Sequence, residues 1–438
     1  MKINIGIENI QTFKSKLFQW LASQYDPQRP ICYLDNNQHD SKLYPQSQGY
    51  ECLLALDALA AIEVLKNATN NLEQLRRFAN KQQGKWIFGS LSYDFKNDLE
   101  RLKSKNEDYI QWALFHFFVP KTLFLLDKKG NLQIESTAGE SKHLYDTISH
   151  IDDDSRPDWV HRKVGLKAKL QPSTYMQNVR KIKDHIIAGD LYEMNYCQEF
   201  YAPNVKIYPF QLFPKLNRMT RAPFAAFYHW NQHFLLCGSP ERFLKKEGQQ
   251  LTAQPIKGTT KRGKNTEEDK KRSQTLSNSL KDRAENVMIV DLMRNDLAKI
   301  CETGSIKVPE LFGIYPFAQV FQMISTVEGT VKKELDWVDI LAHSFPMGSM
   351  TGTPKIMSMQ LIEQYEVSKR GLYSGSVGYI QPNGNFDFNV IIRSILYNAF
   401  HKYLSVMVGG AIVYDSVPEQ EYEECLMKIQ GILETLSN

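Results

Sequence analysis

Short apolar runs alternate with longer polar segments through the first third of the chain. The clearest apolar runs lie at residues 31–35, 86–95 and 121–127, and their lengths are typical of strands. Residues 70–83 between them are polar, with apolar side chains at helical spacing. This part of the chain is therefore predicted to mix α and β structure.

The rest of the chain shows helical patterns that alternate irregularly with strand patterns. Strand patterns are clear at residues 224–230, 233–239, 371–380, 388–398 and 403–413. An Asn-Gly pair at residues 383–384 lies between two of them and predicts a hairpin turn. We therefore predict an α+β fold, with large antiparallel β sheets flanked by helices and no doubly wound parallel sheet.

A polar stretch at residues 137–165 separates the two patterns. Acidic and turn-forming residues interrupt the apolar periodicity there. We therefore predict a boundary near residue 160, with an N-terminal region at 1–160 and a C-terminal domain at 161–438. No repeat of fixed period is visible in the sequence.

The composition indicates which classes of partner and which cellular compartment to expect. The chain has 53 basic and 49 acidic residues, and a formal charge of +4 gives no reason to expect nucleic acid or an anionic membrane as partner. No run approaches the ~20 apolar residues that cross a bilayer, and the first residues lack a secretion signal. The six cysteines are scattered, without metal-binding spacing. We therefore expect a cytoplasmic protein. Its composition is compatible with a small anionic substrate.

The C-terminal segment predicts a helix with a charged face. Residues 417–436 place apolar side chains on one stripe, while Glu421, Glu424 and Lys428 lie together on another face. Such carboxylates could help to hold Mg²⁺, with Glu285 from an earlier helical segment as a further ligand. The alternatives are a solvated helix face with an ordinary Glu424–Lys428 pair, and a surface acid at position 285.

Lys257 and Glu241 are candidates for the chemistry itself. Lys257 lies between an isoleucine and a glycine, where apolar surroundings could lower the pKa of its amine and leave it neutral and nucleophilic. Glu241, sixteen residues earlier, could donate the proton that such chemistry requires. The alternative for a lone lysine is an ordinary surface charge.

Three further features suit an anionic ligand. A glycine-rich turn leads into a predicted helix that has Thr353 as N-cap and Pro354 at its first position, where exposed N–H groups attract anions. Arg393 lies in an apolar strand pattern and needs a carboxylate, either from a ligand or from an internal ion pair. Gly409 and Gly410 end a strand, and either admit a ligand close to the backbone or form a bulge.

Taken in order, these segments resemble the chorismate-binding enzymes, which include component I of anthranilate synthase and of aminodeoxychorismate synthase and the isochorismate and salicylate synthases. The resemblance covers about residues 165–436 and rests on the collinear motifs GDLYEMNY, TRAPFAAF, SPERF, PIKGTTKRG, KDRAENVMIVDLMRND, GSMTGTPK, YSGSVGY, IIRS and GGAIVYDSVPEQEYEE. GSLSYDF is similar to the N-terminal region of the component I proteins. The resemblance implies the chorismate-utilising type of fold.

The resemblance also implies a metal site and a substrate site. Glu285 and Glu424 would hold Mg²⁺, with Glu421 close by, and the metal would grip a carboxylate of chorismate. The positions that match residues around the substrate are Thr351, Tyr373, Arg393, Gly409, Gly410 and Lys428.

Two positions distinguish among members of this family. Water-adding members carry a lysine base at the position of Glu193, which disfavours isochorismate or salicylate formation. Anthranilate synthases carry alanine at the position of Lys257, whereas the members that aminate C4 carry lysine. By this resemblance, Lys257 attacks C2 of chorismate as the C4 hydroxyl leaves with help from Glu241, and ammonia then adds at C4 and expels the lysine. The product would be 4-amino-4-deoxychorismate, for p-aminobenzoate and folate synthesis.

The source of ammonia is expected to lie outside this chain. No glutaminase motif is visible in the sequence, so the resemblance implies a glutamine amidotransferase subunit as partner. Glu193 stands where glutamine is usual, and its negative charge bears on how ammonia or water is handled. The alternatives are an anthranilate synthase component I, which aminates C2, and a catalytically silent chorismate-binding protein.

Overall fold

The computed structural model describes residues 2–39, 49–65, 69–100, 102–152, 163–317 and 320–437. The strands are β1 (Lys2–Gly6), β2 (Ile31–Asp35), β3 (Tyr50–Val64), β4 (Ile87–Leu91), β5 (Phe115–Asp127), β6 (Asn131–Ser136), β7 (Lys167–Ala168), β8 (Glu193–Ala202), β9 (Phe224–Trp230), β10 (His233–Ser239), β11 (Arg242–Glu247), β12 (Gln250–Gln254), β13 (Ile256–Lys261), β14 (Lys307–Pro316), β15 (Val320–Thr330), β16 (Gly352–Thr353), β17 (Ser376–Ile380), β18 (Phe386–Asn389), β19 (Ser394–Asn398) and β20 (Tyr403–Ile412). The α-helices are α1 (Ile10–Ser23), α2 (Asn71–Lys81), α3 (Lys96–Leu99), α4 (Ser141–Ser149), α5 (Pro172–Ala188), α6 (Pro209–Thr220), α7 (Thr266–Ser277), α8 (Leu280–Ala298), α9 (Trp337–Ser344), α10 (Lys355–Tyr365) and α11 (Pro418–Leu436).

The strands form an extensive antiparallel sheet. Long pairings join β3 to β5 and β8 to β20, and β17 and β18 form the hairpin predicted around the Asn-Gly pair. Gly384 in that turn has a φ of 80°, a backbone conformation that glycine adopts without strain. The predicted α+β fold with large antiparallel sheets flanked by helices is confirmed.

The sheet continues across the predicted boundary at residue 160. Strand β2 pairs with β9, and β4 pairs with β17, so strands from residues 1–160 lie beside strands from 161–438. The division of the sequence there stays a prediction, and it does not coincide with a break in the sheet.

Side chains on both faces of the sheet are buried. In β2, Cys32 and Leu34 join one hydrophobic cluster, whereas Ile31 and Tyr33 join another on the opposite face. This is why residues 31–35 read as a continuous apolar run and not as an alternating one.

Within the described ranges, no helix is both long enough and apolar enough to cross a membrane.

The strand expected over residues 388–398 is interrupted. Strand β18 ends at Asn389 and β19 begins at Ser394. Between them, Arg393 has a φ of 52°, which a regular strand does not allow. The continuous strand predicted over residues 388–398 is therefore wrong, and the break turns the chain between two strands that have different partners, β11 and β10.

Two helices differ in detail from their sequence patterns. Helix α10 begins at Lys355 with Pro354 as its N-cap residue, and Thr353 belongs to β16, so the predicted cap is wrong by one residue. Helix α11 begins at Pro418 as expected, but its buried face is rotated from the predicted stripe. Leu426 is 40% exposed whereas Glu421 is 3% exposed, because the helix packs against α5, α6 and β20. That rotation turns a carboxylate inward.

Candidate functional site

Lys257 lies on β13, at an irregularity in the strand. The register between β13 and β15 shifts at this point, and Gly258 has a φ of 88°. A side-chain carbon at Gly258 would lie 2.9 Å from Oδ1 of Asp282, so only glycine lets the strand approach the start of α8 this closely. The approach brings Glu285, one helical turn further along α8, into the electrostatic environment of Lys257.

Carboxylates from four elements surround the Lys257 ammonium. Its Nζ lies 2.5 Å from Oε1 of Glu193 at the start of β8, and the two side chains are 8% and 3% exposed. Glu241 before β11, Glu285 in α8 and Glu424 in α11 interact with the same charge at longer range. The surface-charge alternative for Lys257 is therefore wrong.

The pKa of Lys257 is raised and not lowered. Burial is the largest single influence and acts to lower it, but Glu193, Glu285 and Glu241 together outweigh burial. The expectation of a neutral amine is wrong, because it considered the apolar neighbours in the sequence and not the carboxylates that the fold brings in. Lys257 carries its proton at neutral pH.

Glu241 has the properties of a proton donor. Burial raises its pKa to about 7, against the opposing effects of hydrogen bonds from the Ser349 side chain and the Ile256 backbone and of the Lys257 charge. A carboxylic acid that is still protonated near neutral pH matches the role predicted for it. Sequence reasoning missed Ser349, for which a hydroxyl within the glycine-rich turn was the one available signal.

Two of the three predicted metal ligands, Glu421 and Glu424, lie beside Gly410, and the third, Glu285, lies across Lys281 from Glu421. A side-chain carbon at Gly410 would lie 3.2 Å from Oε2 of Glu421 and 3.6 Å from Oε1 of Glu424. Between the helices, Nζ of Lys281 lies 3.8 Å from Oε1 of Glu285 and 3.9 Å from Oε1 of Glu421. Carboxylates of α8 and α11 therefore converge around a positive charge.

The donor set suits a hard divalent cation. As their side chains are placed, no three His, Cys, Asp or Glu residues in the described segments are close enough together to bind a metal ion. However, burial raises the pKa of Glu285 to about 7 and raises that of Glu421, and neighbouring carboxylates add to both effects. A cation among oxygen ligands would relieve this repulsion. Lys281, whose side chain is 52% exposed, now supplies part of that relief.

Lys428 pairs with Glu424 as the helical spacing predicted. Its Nζ lies 2.5 Å from Oε1 of Glu424 and donates a hydrogen bond of 2.8 Å to the carbonyl of Gly409. Burial acts to raise the pKa of Glu424, but the Lys428 charge holds it below its ordinary value. A side-chain carbon at Gly409 would lie 2.4 Å from Sγ of Cys197, so glycine is required there for β20 to pack on β8.

Arg393 and Tyr373 line the same region. In the part of the chain that the structure describes, Arg393 forms no ion pair with a carboxylate, and its contact with the Lys428 carbonyl is long, at 3.5 Å. Burial lowers the pKa of Arg393, with Tyr373 and Glu424 as its electrostatic neighbours. Within the described residues, the alternative of an internal Arg–carboxylate pair is therefore wrong, and a partly buried guanidinium without such a pair favours an anionic ligand.

Thr351 belongs to a turn that presses against β8. Its hydroxyl donates to the carbonyl oxygens of Gly348 and Met347, at 3.1 Å and 3.3 Å. A side-chain carbon at the next residue, Gly352, would lie 2.1 Å from the carbonyl oxygen of Glu193, and this glycine has a φ of 141°. The turn thus fixes the backbone of Glu193, while contact between Thr351 and a substrate stays a prediction.

Comparisons with known proteins identify relatives that match most of this chain. The profile of the family described as chorismate binding enzyme matches residues 29–434. Aminodeoxychorismate synthase component 1 of Escherichia coli (strain K12) is 36% identical over 306 residues, covering 67% of each chain. The protein of the same name from Bacillus subtilis (strain 168) is 32% identical over 376 residues, covering 82% of this chain and 78% of that one. Among solved structures, anthranilate synthase component I from Streptococcus pneumoniae TIGR4 superposes with a TM-score of 0.76 at 26% identity, covering 87% of this chain and 91% of that chain.

Proposed function

The chain belongs to the chorismate binding enzyme family, and from that premise we propose that it aminates chorismate at C4 to give 4-amino-4-deoxychorismate. The product would enter p-aminobenzoate and folate synthesis. Relatives named aminodeoxychorismate synthase component 1, at 36% and 32% identity, support this activity. The choice of C4 over C2 depends on which nucleophile the site contains.

The observation that carries the proposal is the buried lysine at the centre of the site. Lys257 is 8% exposed and contacts Glu193, with Glu241 close enough to act on its charge. An amine held beside a protonated carboxylic acid supplies the two groups that a covalent displacement needs, a nucleophile and a proton donor.

The reaction we propose has two displacements. In the first, a C–N bond forms between Nζ of Lys257 and C2 of chorismate, the two ring double bonds shift toward C4, and the C4–O bond breaks. Glu241 protonates the departing hydroxyl, which leaves as water. In the second, ammonia forms a bond to C4, the ring double bonds shift back, and the C2–N bond to Lys257 breaks. Splitting one difficult substitution into two steps is the general advantage of nucleophilic catalysis.

The carboxylates of α8 and α11 are the residues that would hold Mg²⁺. Glu285, Glu421 and Glu424 supply hard oxygen donors, and the bound ion would orient and neutralise a carboxylate of chorismate. Arg393 is available for an anionic group of the substrate, because no carboxylate of the described residues pairs with it. Tyr373, Lys428 and Gly410 would complete the substrate site.

A glutamine amidotransferase subunit would supply the ammonia. Both of the relatives described above are named component 1, and this name supports the existence of a second component. We also place the reaction in the cytoplasm, which fits six cysteines that are all free and buried.

Product identification tests the proposed function. The purified chain is incubated with chorismate, MgCl₂ and ammonium, and the products are separated and identified by mass spectrometry. We expect 4-amino-4-deoxychorismate, with no pyruvate released. Anthranilate together with pyruvate would instead assign the chain to C2 amination, and chorismate binding without turnover would make it a silent member of the family.

A further inference from the structure

The proton on Lys257 is an obstacle to the proposed reaction. An ammonium has no lone pair, and only the neutral amine attacks carbon. The titratable groups that act on Lys257 in the described residues are Glu193 from β8, Glu241 from the loop before β11, Glu285 from α8 and Glu424 from α11, and each favours the charged form. The reaction therefore needs a group that takes a proton from Lys257 before the attack.

We propose that Glu193 is the base that removes a proton from the Lys257 ammonium and returns it when the lysine departs. This inference rests on the proposed function, because it assigns a role within the same covalent reaction.

Geometry selects Glu193 from the four carboxylates. Among the described residues, it is the one carboxylate within 4.0 Å of Nζ of Lys257, at 2.5 Å. Glu241 is the proton donor and cannot serve at the same time as the acceptor. Glu285 is paired with Lys281, and Glu424 with Lys428. A base must lie within hydrogen-bond reach of the proton that it removes, and Glu193 meets that condition.

The surroundings of Glu193 hold it in this position. Its backbone pairs with Thr353 of β16, and Ser358 donates a hydrogen bond of 3.3 Å to its carbonyl oxygen. A side-chain carbon at Gly352 would lie 2.1 Å from the same carbonyl oxygen, so the turn packs closely on this part of β8. Because the Glu193 side chain is 3% exposed, the proton passes directly between the two side chains and not through bulk water.

Each side chain that gives up a proton in the two steps has regained one by the end of the reaction. Before the attack, one proton moves from Nζ of Lys257 to a carboxylate oxygen of Glu193, and the second proton, from Glu241, leaves with the C4 oxygen as water. When ammonia bonds to C4 and the C2–N bond breaks, Lys257 departs as a neutral amine and recovers its proton from Glu193. The ammonium that supplied the ammonia restores the proton of Glu241.

The test replaces the base but keeps the hydrogen-bond acceptor, as Glu193→Gln. In the native protein the proton is exchanged inside the pair, whereas in the variant Lys257 must lose it to solvent. We expect turnover with chorismate and ammonium to be about tenfold below the native rate near pH 7, the deficit to shrink at higher pH, and KM for chorismate to be nearly unchanged. The measured quantity is the ratio of variant to native rate across pH, in which the ionisation of Glu241 cancels.

Two further variants serve as controls. Glu199→Gln makes the same change at a second buried glutamate of β8, which accepts hydrogen bonds from Ser368 and Tyr403, away from Lys257. Its rate ratio is expected to stay constant with pH. Glu193→Asp keeps a carboxylate on a shorter side chain, so its rate is expected to fall without the rise of the ratio with pH. Thermal melting curves check that each variant is folded.

The outcomes separate this inference from the proposed function. A native protein that forms no 4-amino-4-deoxychorismate refutes the proposed function. Where the native protein forms it, a Glu193→Gln ratio that is constant with pH overturns the role of Glu193 as base. A loss confined to KM for ammonium also overturns it, because Glu193 would then bind the second nucleophile instead.

Discussion

The two sides of the site balance their charges in different ways. On one side, Glu193 and Lys257 form a buried pair, with exposures of 3% and 8%. On the other side, the carboxylates of α8 and α11 are balanced by Lys281 and Lys428, whose side chains are 52% and 28% exposed. A buried pair is fixed before substrate arrives, whereas an exposed lysine can rotate into solvent and leave its place to another cation. In the proposed reaction, the first side would transfer a proton and the second would hold an exchangeable ion.

Removing the buried amine is the strongest test of this comparison. Lys257→Ala should lower C4 amination at least about 10³-fold, because the proposed covalent intermediate forms on this amine. Chorismate binding, measured by calorimetry with MgCl₂ present, should be little changed. Lys261→Ala removes an exposed lysine from the same strand, β13, and is expected to behave as the native protein does. Turnover by Lys257→Ala at the native rate would show that no covalent bond to Lys257 forms in the reaction.

Glu241 should determine the alkaline limb of the rate profile. The acid must be protonated to donate, and burial raises its pKa to about 7, so activity should fall as pH rises through about 7. Glu241→Gln should lower the rate about 100-fold and abolish this alkaline limb. Rates measured at saturating chorismate between about pH 6 and pH 9 check both statements. An unchanged alkaline limb in the variant would assign it to another group.

On the second side of the site, formed by the carboxylates of α8 and α11, we predict an effect on metal affinity. Glu424→Gln removes one of the oxygen charges beside Gly410 and should raise the Kd for Mg²⁺ roughly tenfold or more. Titration calorimetry of Mg²⁺ in the presence of chorismate measures this without relying on turnover. Glu423→Gln changes the exposed neighbour on α11 and should leave the Kd as it is. Equal affinities in the two variants would exclude Glu424 as a ligand.

The sequence predicted the second side of the site better than the first. Glu421, Glu424 and Lys428 lie on one helix, so their clustering follows from helical spacing alone. The pair of Glu193 and Lys257 joins residues 64 positions apart on strands β8 and β13, and no local pattern encodes such a contact. The same limit explains the error about the pKa of Lys257, which depends on carboxylates that only the tertiary fold assembles.

Prediction of the fold likewise succeeded for contacts between residues close in sequence and failed for contacts between distant ones. Alternation and turn residues identified the antiparallel hairpin of β17 and β18. They missed the break between Asn389 and Ser394, because the side chains on both sides of it are apolar and buried. The pairing of β4 with β17, which unites the two parts of the chain, likewise has no local signal.

Lys281 gives the smallest and most specific test of the comparison. Its ammonium lies 3.8 Å from Glu285 and 3.9 Å from Glu421, where it neutralises charge that a divalent cation would otherwise meet. Removing it in Lys281→Met should therefore tighten Mg²⁺ binding a few-fold, because the ion no longer competes with a resident positive charge. The effect stays modest because the lysine is half exposed and solvent screens it. Calorimetric titration of Mg²⁺ measures the change, and weaker binding in the variant would mean that Lys281 orders the carboxylates and does not occupy the place of the cation.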